Sequence, residues 1–150
     1  MKRYELRGDF GLDNLELVER PEPEPSAGEV VLEMSALSPN YRDLMMIRGS
    51  YNPDQPLPLV PFSDGVGEVV AVGDGVERFE EGDRGCPIFV QSWLAGPPNR
   101  SRVRGALGGP LDGTLTEFMA VPAESVVEPP EHLSDVEAAT LPCTGVTAWH

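Results

Sequence analysis

Pro61-Phe62-Ser63-Asp64-Gly65-Val66-Gly67-Glu68-Val69-Val70-Ala71-Val72-Gly73, followed by Gly82-Asp83-Arg84-Gly85, is the stretch whose reading decides the fold. Val66, Val69, Val70, Ala71 and Val72 have the apolar, largely β-branched character of a strand buried on at least one face. Gly65, Gly67 and Gly73 punctuate it, as glycines do at bulges, at barrel corners and where another backbone or a ligand comes close. Small polar side chains stand at its entry. Taken alone, the pattern is that of a small β-barrel corner.

The rest of the chain is organised around that strand. Lys2–Leu6 and Leu15–Glu19 are expected as short strands joined through Gly8-Asp9-Phe10-Gly11. Alternate prolines in Pro21-Glu22-Pro23-Glu24-Pro25 remove ladder donors and predict an exposed link before the next strand, Val30–Ser38. A short helix is expected from Tyr41, with Asn40 in position to cap it. Met45, Met46 and Ile47 lie on that helix as core, with Met45 a candidate for a cleft wall. The proline-dense loop Gly49–Pro61 leads into the organising strand, and loops over a rigid barrel are where substrates are usually met. Further strands are expected over Cys86–Val90, Gly113–Pro122 and Ser125–Glu128, the last stopped by Pro129 and Pro130. Ser134 and Glu137 have the spacing of a capping box opening a helix over Asp135–Leu141.

Composition narrows the classes of function. At 150 residues and 40% hydrophobic, the chain is one domain's worth of material with a real core. Its net charge of −14, with Lys2 the only lysine, disfavours nucleic acid as a partner. The acidity itself reads as a solvated surface, or as attraction for a cationic ligand. No apolar run approaches the ~20 residues that span a bilayer, and no signal-type segment opens the sequence, so a soluble, cytoplasmic protein is expected. Two cysteines, Cys86 and Cys143, make no disulfide framework. His132 has no second histidine in ligand spacing and is a surface or packing residue. Arg100, Arg102 and Arg104 suit a solvated loop, with a phosphate or acyl-coenzyme A as the alternative partner.

In combination, the organising strand, Asn40-Tyr41-Arg42-Asp43-Leu44, Gly113-Thr114-Leu115-Thr116-Glu117-Phe118 and the closing Ala138-Ala139-Thr140-Leu141-Pro142-Cys143…Thr147-Ala148 resemble the N-terminal, GroES-like half of the medium-chain dehydrogenase/reductase superfamily. The resemblance covers essentially all of the chain. It implies a mainly β fold with short helices, a GroES-like partly open β-barrel that forms the catalytic domain incompletely. Zinc-dependent members enter the organising strand as Gly-His-Glu-Gly, carry Cys-His-Thr-Asp-Leu before it, and have a cysteine at the position of Cys143. Here Ser63 replaces the histidine and Asn40 the first cysteine. One surviving ligand cannot hold a tetrahedral zinc, and the four cysteines of a structural-zinc lobe are also missing between Gln91 and Asp112.

These departures resemble the zinc-independent quinone oxidoreductase and enoyl reductase branch. That branch implies NADPH as cofactor, no zinc, and a small carbonyl, enone or quinone substrate, with homodimers among full-length members. Asn40, Met45 and Thr147 are the implied cofactor-side residues, and Tyr41 or Tyr51 would contact substrate, a phenol donating a proton to a developing enolate. The bland alternatives are a helix cap for Asn40 and half-buried packing for the tyrosines. No Gly-x-Gly-x-x-Gly fingerprint occurs, so the dinucleotide-binding Rossmann domain is expected outside residues 1–150 and this chain alone is expected to be inactive. A stand-alone, non-catalytic barrel used for binding or assembly is the alternative from another class. A zinc alcohol dehydrogenase with altered ligands is the third.

Overall fold

The structure is a computed structural model and describes residues 1–149. Seven strands and three short helices follow in order: β1 Lys2–Leu6, β2 Leu15–Glu19, β3 Glu29–Ser38, α1 Tyr41–Ile47, β4 Asp64–Val72, β5 Arg84–Pro87, β6 Phe118–Pro122, β7 Val126–Val127, α2 Asp135–Ala138 and α3 Val146–Trp149. Antiparallel pairing gives a five-stranded sheet in the order β6-β3-β4-β5-β7 and a separate β1-β2 hairpin. The architecture is mainly β, a curled half-barrel with few helices. Among the described residues no helix is long and apolar enough to cross a membrane.

The organising stretch is the central strand, as its composition requires. β4 pairs with β3 from Val30 opposite Val72 to Ser38 opposite Asp64, with irregularities between Val31 and Leu32 and between Met34 and Ala36. A Cβ on Gly67 would fall 2.5 Å from the carbonyl oxygen of Glu33, so a side chain there would force the two strands apart. Val30, Leu32, Val69, Phe79, Leu107, Met119, Val121 and Val126 form the main core. Each fully buried aliphatic side chain of this kind contributes about 1.5–3 kcal/mol. α2 closes a second cluster, in which Ala138 and Ala139 pack on Val66 and Cys86.

Three expected elements are shorter than the sequence pattern suggested. β5 ends at Pro87 instead of Val90, and Val90 joins only an isolated bridge with Ala106. β6 begins at Phe118. The preceding residues instead wrap the entry of β4: Gly113 N–H donates to the Val60 carbonyl at 2.7 Å, Thr114 N–H to Phe62 at 3.1 Å and Leu115 N–H to Pro61 at 3.2 Å. The last α-helix also breaks. Pro142 has no N–H to give the Ala138 carbonyl, so α2 stops at Ala138 and the chain takes a wider turn over Leu141–Gly145, closed by Gly145 N–H to the Thr140 carbonyl at 3.1 Å. The Cys86 thiol reaches the freed Ala138 carbonyl at 3.9 Å.

The β1-β2 hairpin is tied to the main body by Leu6 and Leu59, which exchange backbone hydrogen bonds at 2.8 and 3.1 Å. Glu5 is wholly buried between three arginines, at 2.6 Å from Arg3, 2.8 Å from Arg7 and 2.7 Å from Arg20. The hydrogen bonds and charges of Arg3 and Arg20 outweigh burial, which acts in the opposite sense, and hold the Glu5 carboxyl below its ordinary value.

Candidate functional site

Phe62, just ahead of β4, is the only non-glycine residue with a positive φ among the described residues, at 73°. For a bulky side chain that conformation costs about 1–3 kcal/mol and persists only where the surroundings fix it. Gly108 and Gly113 supply the fixing, because their missing side chains leave room for the Phe62 backbone. The next two residues, Ser63 and Asp64, are thereby delivered to the interior, and both are fully buried.

Asp64 is the centre of a polar cluster assembled from three elements. Its Oδ2 accepts from Nδ2 of Asn40 at 3.1 Å, from the Cys143 N–H at 3.2 Å and from the Thr144 N–H at 3.4 Å. Nδ2 of Asn40 also lies 3.5 Å from Ser63 Oγ, and its Oδ1 accepts from the Thr144 hydroxyl. The carboxylate therefore ties the widened Leu141–Gly145 turn to the start of β4. Burial pushes the Asp64 carboxyl above its ordinary value, and the three donors only partly oppose that. Oδ1 of Asp64 is buried with no hydrogen-bond partner. Asp43 shares this condition: its Oδ2 accepts from the Asn40 N–H at 2.7 Å, while Oδ1 is buried and unpartnered, and burial raises its carboxyl as well.

Of the two roles the sequence left open, the structure shows the helix cap for Asn40. It is the N-cap residue of α1, with Asp43 reaching back to its N–H, while its side-chain amide makes its hydrogen bonds to Asp64, Ser63 and Thr144. Thr147 lies on α3, is exposed, and has its hydroxyl beside the Cys143 thiol. Burial and then the Asp64 charge raise that thiol above its ordinary value. Asn40 and the Cys143 backbone thus share Asp64 as a partner, while Thr147 meets the Cys143 thiol. Met45 is half-buried, and its carbonyl accepts from the Ser50 hydroxyl at 3.2 Å and the Tyr51 N–H at 3.3 Å. The two tyrosines are apart from the Asp64 cluster in their contacts. Tyr41 is 77% exposed, and the ring of Tyr51 lies against the Arg42 guanidinium at 4.9 Å.

Asp64, Asp43 and Thr144 were not among the residues singled out from sequence. A signal existed for Asp64: it is the acid at the mouth of a strand whose other charged residue, Glu68, lies on the exposed face. Nothing local marked Thr144, whose partners are far away in the chain.

The positions that match the zinc ligands of the related enzymes do converge, but as an amide, a hydroxyl and one protonated thiol. The amide nitrogen of Asn40 is a donor, and Ser63 Oγ sits against it. Among the described residues no group of three His, Cys, Asp or Glu side chains is placed to hold a metal ion. Such a donor set does not fit tetrahedral zinc, which takes thiolate, imidazole or carboxylate. Two hydroxyl side chains, Thr144 and Thr147, stand exposed on the final turn and helix.

Comparison with known proteins gives the family of this fold. The alcohol dehydrogenase GroES-like domain family matches residues 26–131. A zinc-type alcohol dehydrogenase-like protein of Schizosaccharomyces pombe is 42% identical over 150 residues, covering 99% of this chain and 43% of its own length. A chloroplast envelope quinone oxidoreductase homolog of Arabidopsis thaliana is 35% identical over 140 residues, 92% of this chain and 37% of its own. Among solved structures, a Sinorhizobium meliloti 1021 protein described as an alcohol dehydrogenase superposes with a TM-score of 0.88 at 37% identity, covering 99% of this chain and 44% of that one. The chain therefore spans roughly two-fifths of the length of the curated relatives it matches.

Proposed function

The chain belongs to the alcohol dehydrogenase GroES-like domain family of the medium-chain dehydrogenase/reductase superfamily, and from that premise we propose that it forms the substrate-side part of a zinc-independent, NADPH-using reductase. The substrate class is a small carbonyl compound, enone or quinone. The observation that carries this reading is the Asp64 cluster, in which Asn40, Ser63 and the Cys143–Thr144 backbone occupy the ligand positions with hydrogen bonds among themselves.

A bound reduced nicotinamide supplies the hydride for the substrate's electrophilic carbon. The residues of this chain bind and orient. Asp64 holds the turn that carries Thr144 and leads into α3, where Thr147 would help to hold a bound nicotinamide. Asn40 keeps Asp64 in place and orients Thr144 through its own Oδ1. Met45 walls the cleft. Tyr51 or Tyr41 gives a proton to the oxygen of the developing enolate. The full-length protein is expected to dimerise.

The test uses full-length protein purified with and without a strong chelator. NADPH-dependent reduction of quinones or enones should persist without bound zinc, and alanine at Thr147 should weaken NADPH binding. Stoichiometric zinc whose removal abolishes turnover would refute the zinc-independent mechanism, and no turnover in the full-length protein would favour the stand-alone binding module.

A further inference from the structure

Arg42 belongs to α1, but its side chain takes no part in the Asp64 cluster. Nη1 donates to the Leu107 carbonyl at 3.1 Å and Nη2 to the Gly109 carbonyl at 2.7 Å. The guanidinium carbon also stands 4.9 Å from the ring centroid of Phe89 and 4.9 Å from that of Tyr51. The side chain is only 13% exposed. Two main-chain anchors far away in the chain therefore fix the plane of this cation, and a guanidinium already held by its fork loses little more freedom when it carries a ring on its face.

Tyr51 needs such a support. Its N–H donates to the Met45 carbonyl at 3.3 Å, but the residue is 53% exposed at the start of a proline-dense loop. A side chain so placed has several rotamers open to it unless a neighbour selects one. Arg42 is that neighbour, and a partly desolvated cation holds a ring more firmly than an exposed one. Arg42, Tyr51, Phe89 and Trp93 line one pocket of about 480 Å³, within the range of small-molecule sites. Tyr41 does not line it.

We propose that Arg42 is a positioning residue that acts through Tyr51, fixing the phenol in the wall of this pocket so that Tyr51, and not Tyr41, gives the proton to the substrate's oxygen. The inference rests on the reductase reading. Once hydride has reached the electrophilic carbon, the electron pair displaced onto the carbonyl oxygen takes the proton of the Tyr51 hydroxyl, and water reprotonates the phenolate. The transfer requires donor and acceptor oxygens about 2.6–3.2 Å apart, so a ring free to change rotamer is out of reach for much of the time. Lysine at position 42 keeps the charge, but its ammonium has neither the fork that meets the Leu107 and Gly109 carbonyls nor a flat face for two rings.

The test uses the full-length protein with NADPH and cyclohex-2-enone as the probe substrate. Tyr51→Phe should lower kcat about a hundredfold, as loss of a general acid warrants, and by more than Tyr41→Phe does. Arg42→Lys should lower kcat about tenfold while KM for the enone stays within about twofold. Added to Tyr51→Phe, it should cost less than about twofold, because no phenol is left to place. Losses that multiply in the double variant, or a larger loss in Tyr41→Phe than in Tyr51→Phe, would overturn the proposal. NMR of the unmodified protein with labelled tyrosine, the Tyr51 signals assigned by their loss in Tyr51→Phe, needs neither turnover nor a variant at Arg42. It should show one χ1 rotamer for Tyr51 and cross-relaxation between its ring and the Arg42 methylene protons; rotamer averaging without that contact would overturn the placement. If Arg42→Lys does not fold, the two tyrosine variants and the NMR decide. Should no form reduce cyclohex-2-enone or 1,4-benzoquinone, the reductase reading fails while a fixed Tyr51 ring still upholds the placement by Arg42. Turnover undiminished by Tyr51→Phe does the reverse.

Discussion

Nδ2 of Asn40 donates to Oδ2 of Asp64 across 3.1 Å, joining the first turn of α1 to the first residue of β4 over a sequence separation of 24. It is the side-chain donor that this buried carboxylate has besides two backbone N–H groups. Asn40→Ala should therefore cost about 1–3 kcal/mol in a denaturant titration, because it strips a buried acceptor of a partner. Asn40→Asp should cost more, since two carboxylates would then face each other. An Asn40→Ala variant as stable as the parent would show that the contact holds nothing.

Asp64 makes stability depend on pH in an unusual direction. Its carboxyl is raised by burial, so its contribution is fully present below the ordinary value of 3.8 and is lost as pH rises through the higher folded value. Asp64→Asn removes this penalty while keeping an oxygen for the turn. The variant's gain in melting temperature over the parent should be largest near neutral pH and shrink as pH falls towards 3.8. A difference that stays constant with pH would contradict it.

Glu5 acts in the opposite sense. Burial raises its carboxyl, but the hydrogen bonds and charges of Arg3 and Arg20 prevail and lower it. Its contribution is present above the ordinary value of 4.5 and is lost as pH falls through the lower folded value. Glu5→Gln should cost about 2 kcal/mol at neutral pH, less than a fully buried pair because the arginines are partly exposed. The loss should narrow in acid, and backbone amides of β1 and β2 should show it first in hydrogen exchange.

The two thiols should resist alkylation at neutral pH, for the thiolate is the reactive form. Burial pushes Cys86 up to about 11, and burial followed by the Asp64 charge raises Cys143. Iodoacetamide monitored by mass spectrometry should label Cys143 before Cys86, which is 2% exposed, with a rate that climbs with pH. Rapid labelling of Cys86 at neutral pH would mean that α2 does not stay packed over it.

Local pattern carried much of the fold. The valines of β4 and its close-approach glycines, the strands of the first hairpin, the exposed proline link, the start of α1 at Tyr41 and the Ser134–Glu137 capping box all depend on residues within a few positions of one another. Strand length was less legible where distant backbone competes for hydrogen bonds. Gly113–Leu115 has the composition of a strand, yet its N–H groups go to Val60, Phe62 and Pro61. The broken final helix was written in Pro142, whose missing N–H outweighed the helical pattern around it.

By itself, the sequence determined a mainly β chain of the GroES-like kind and put Asn40, Ser63 and Cys143 where related enzymes hold zinc. Only the tertiary structure decided what those residues do instead. Asp64 meets Asn40, Cys143 and Thr144 across 24, 79 and 80 positions, and Arg42 finds the Leu107 and Gly109 carbonyls across 65 and 67. Local spacing specifies turns, caps and strand faces, because those contacts are short-range. Which distant groups share one buried volume is set by the register of β3 on β4 and by how the chain after β5 wraps the entry to β4. There, burial turns an ordinary aspartate into the hub of a site and leaves one guanidinium nitrogen, Nε of Arg42, without a hydrogen-bond partner.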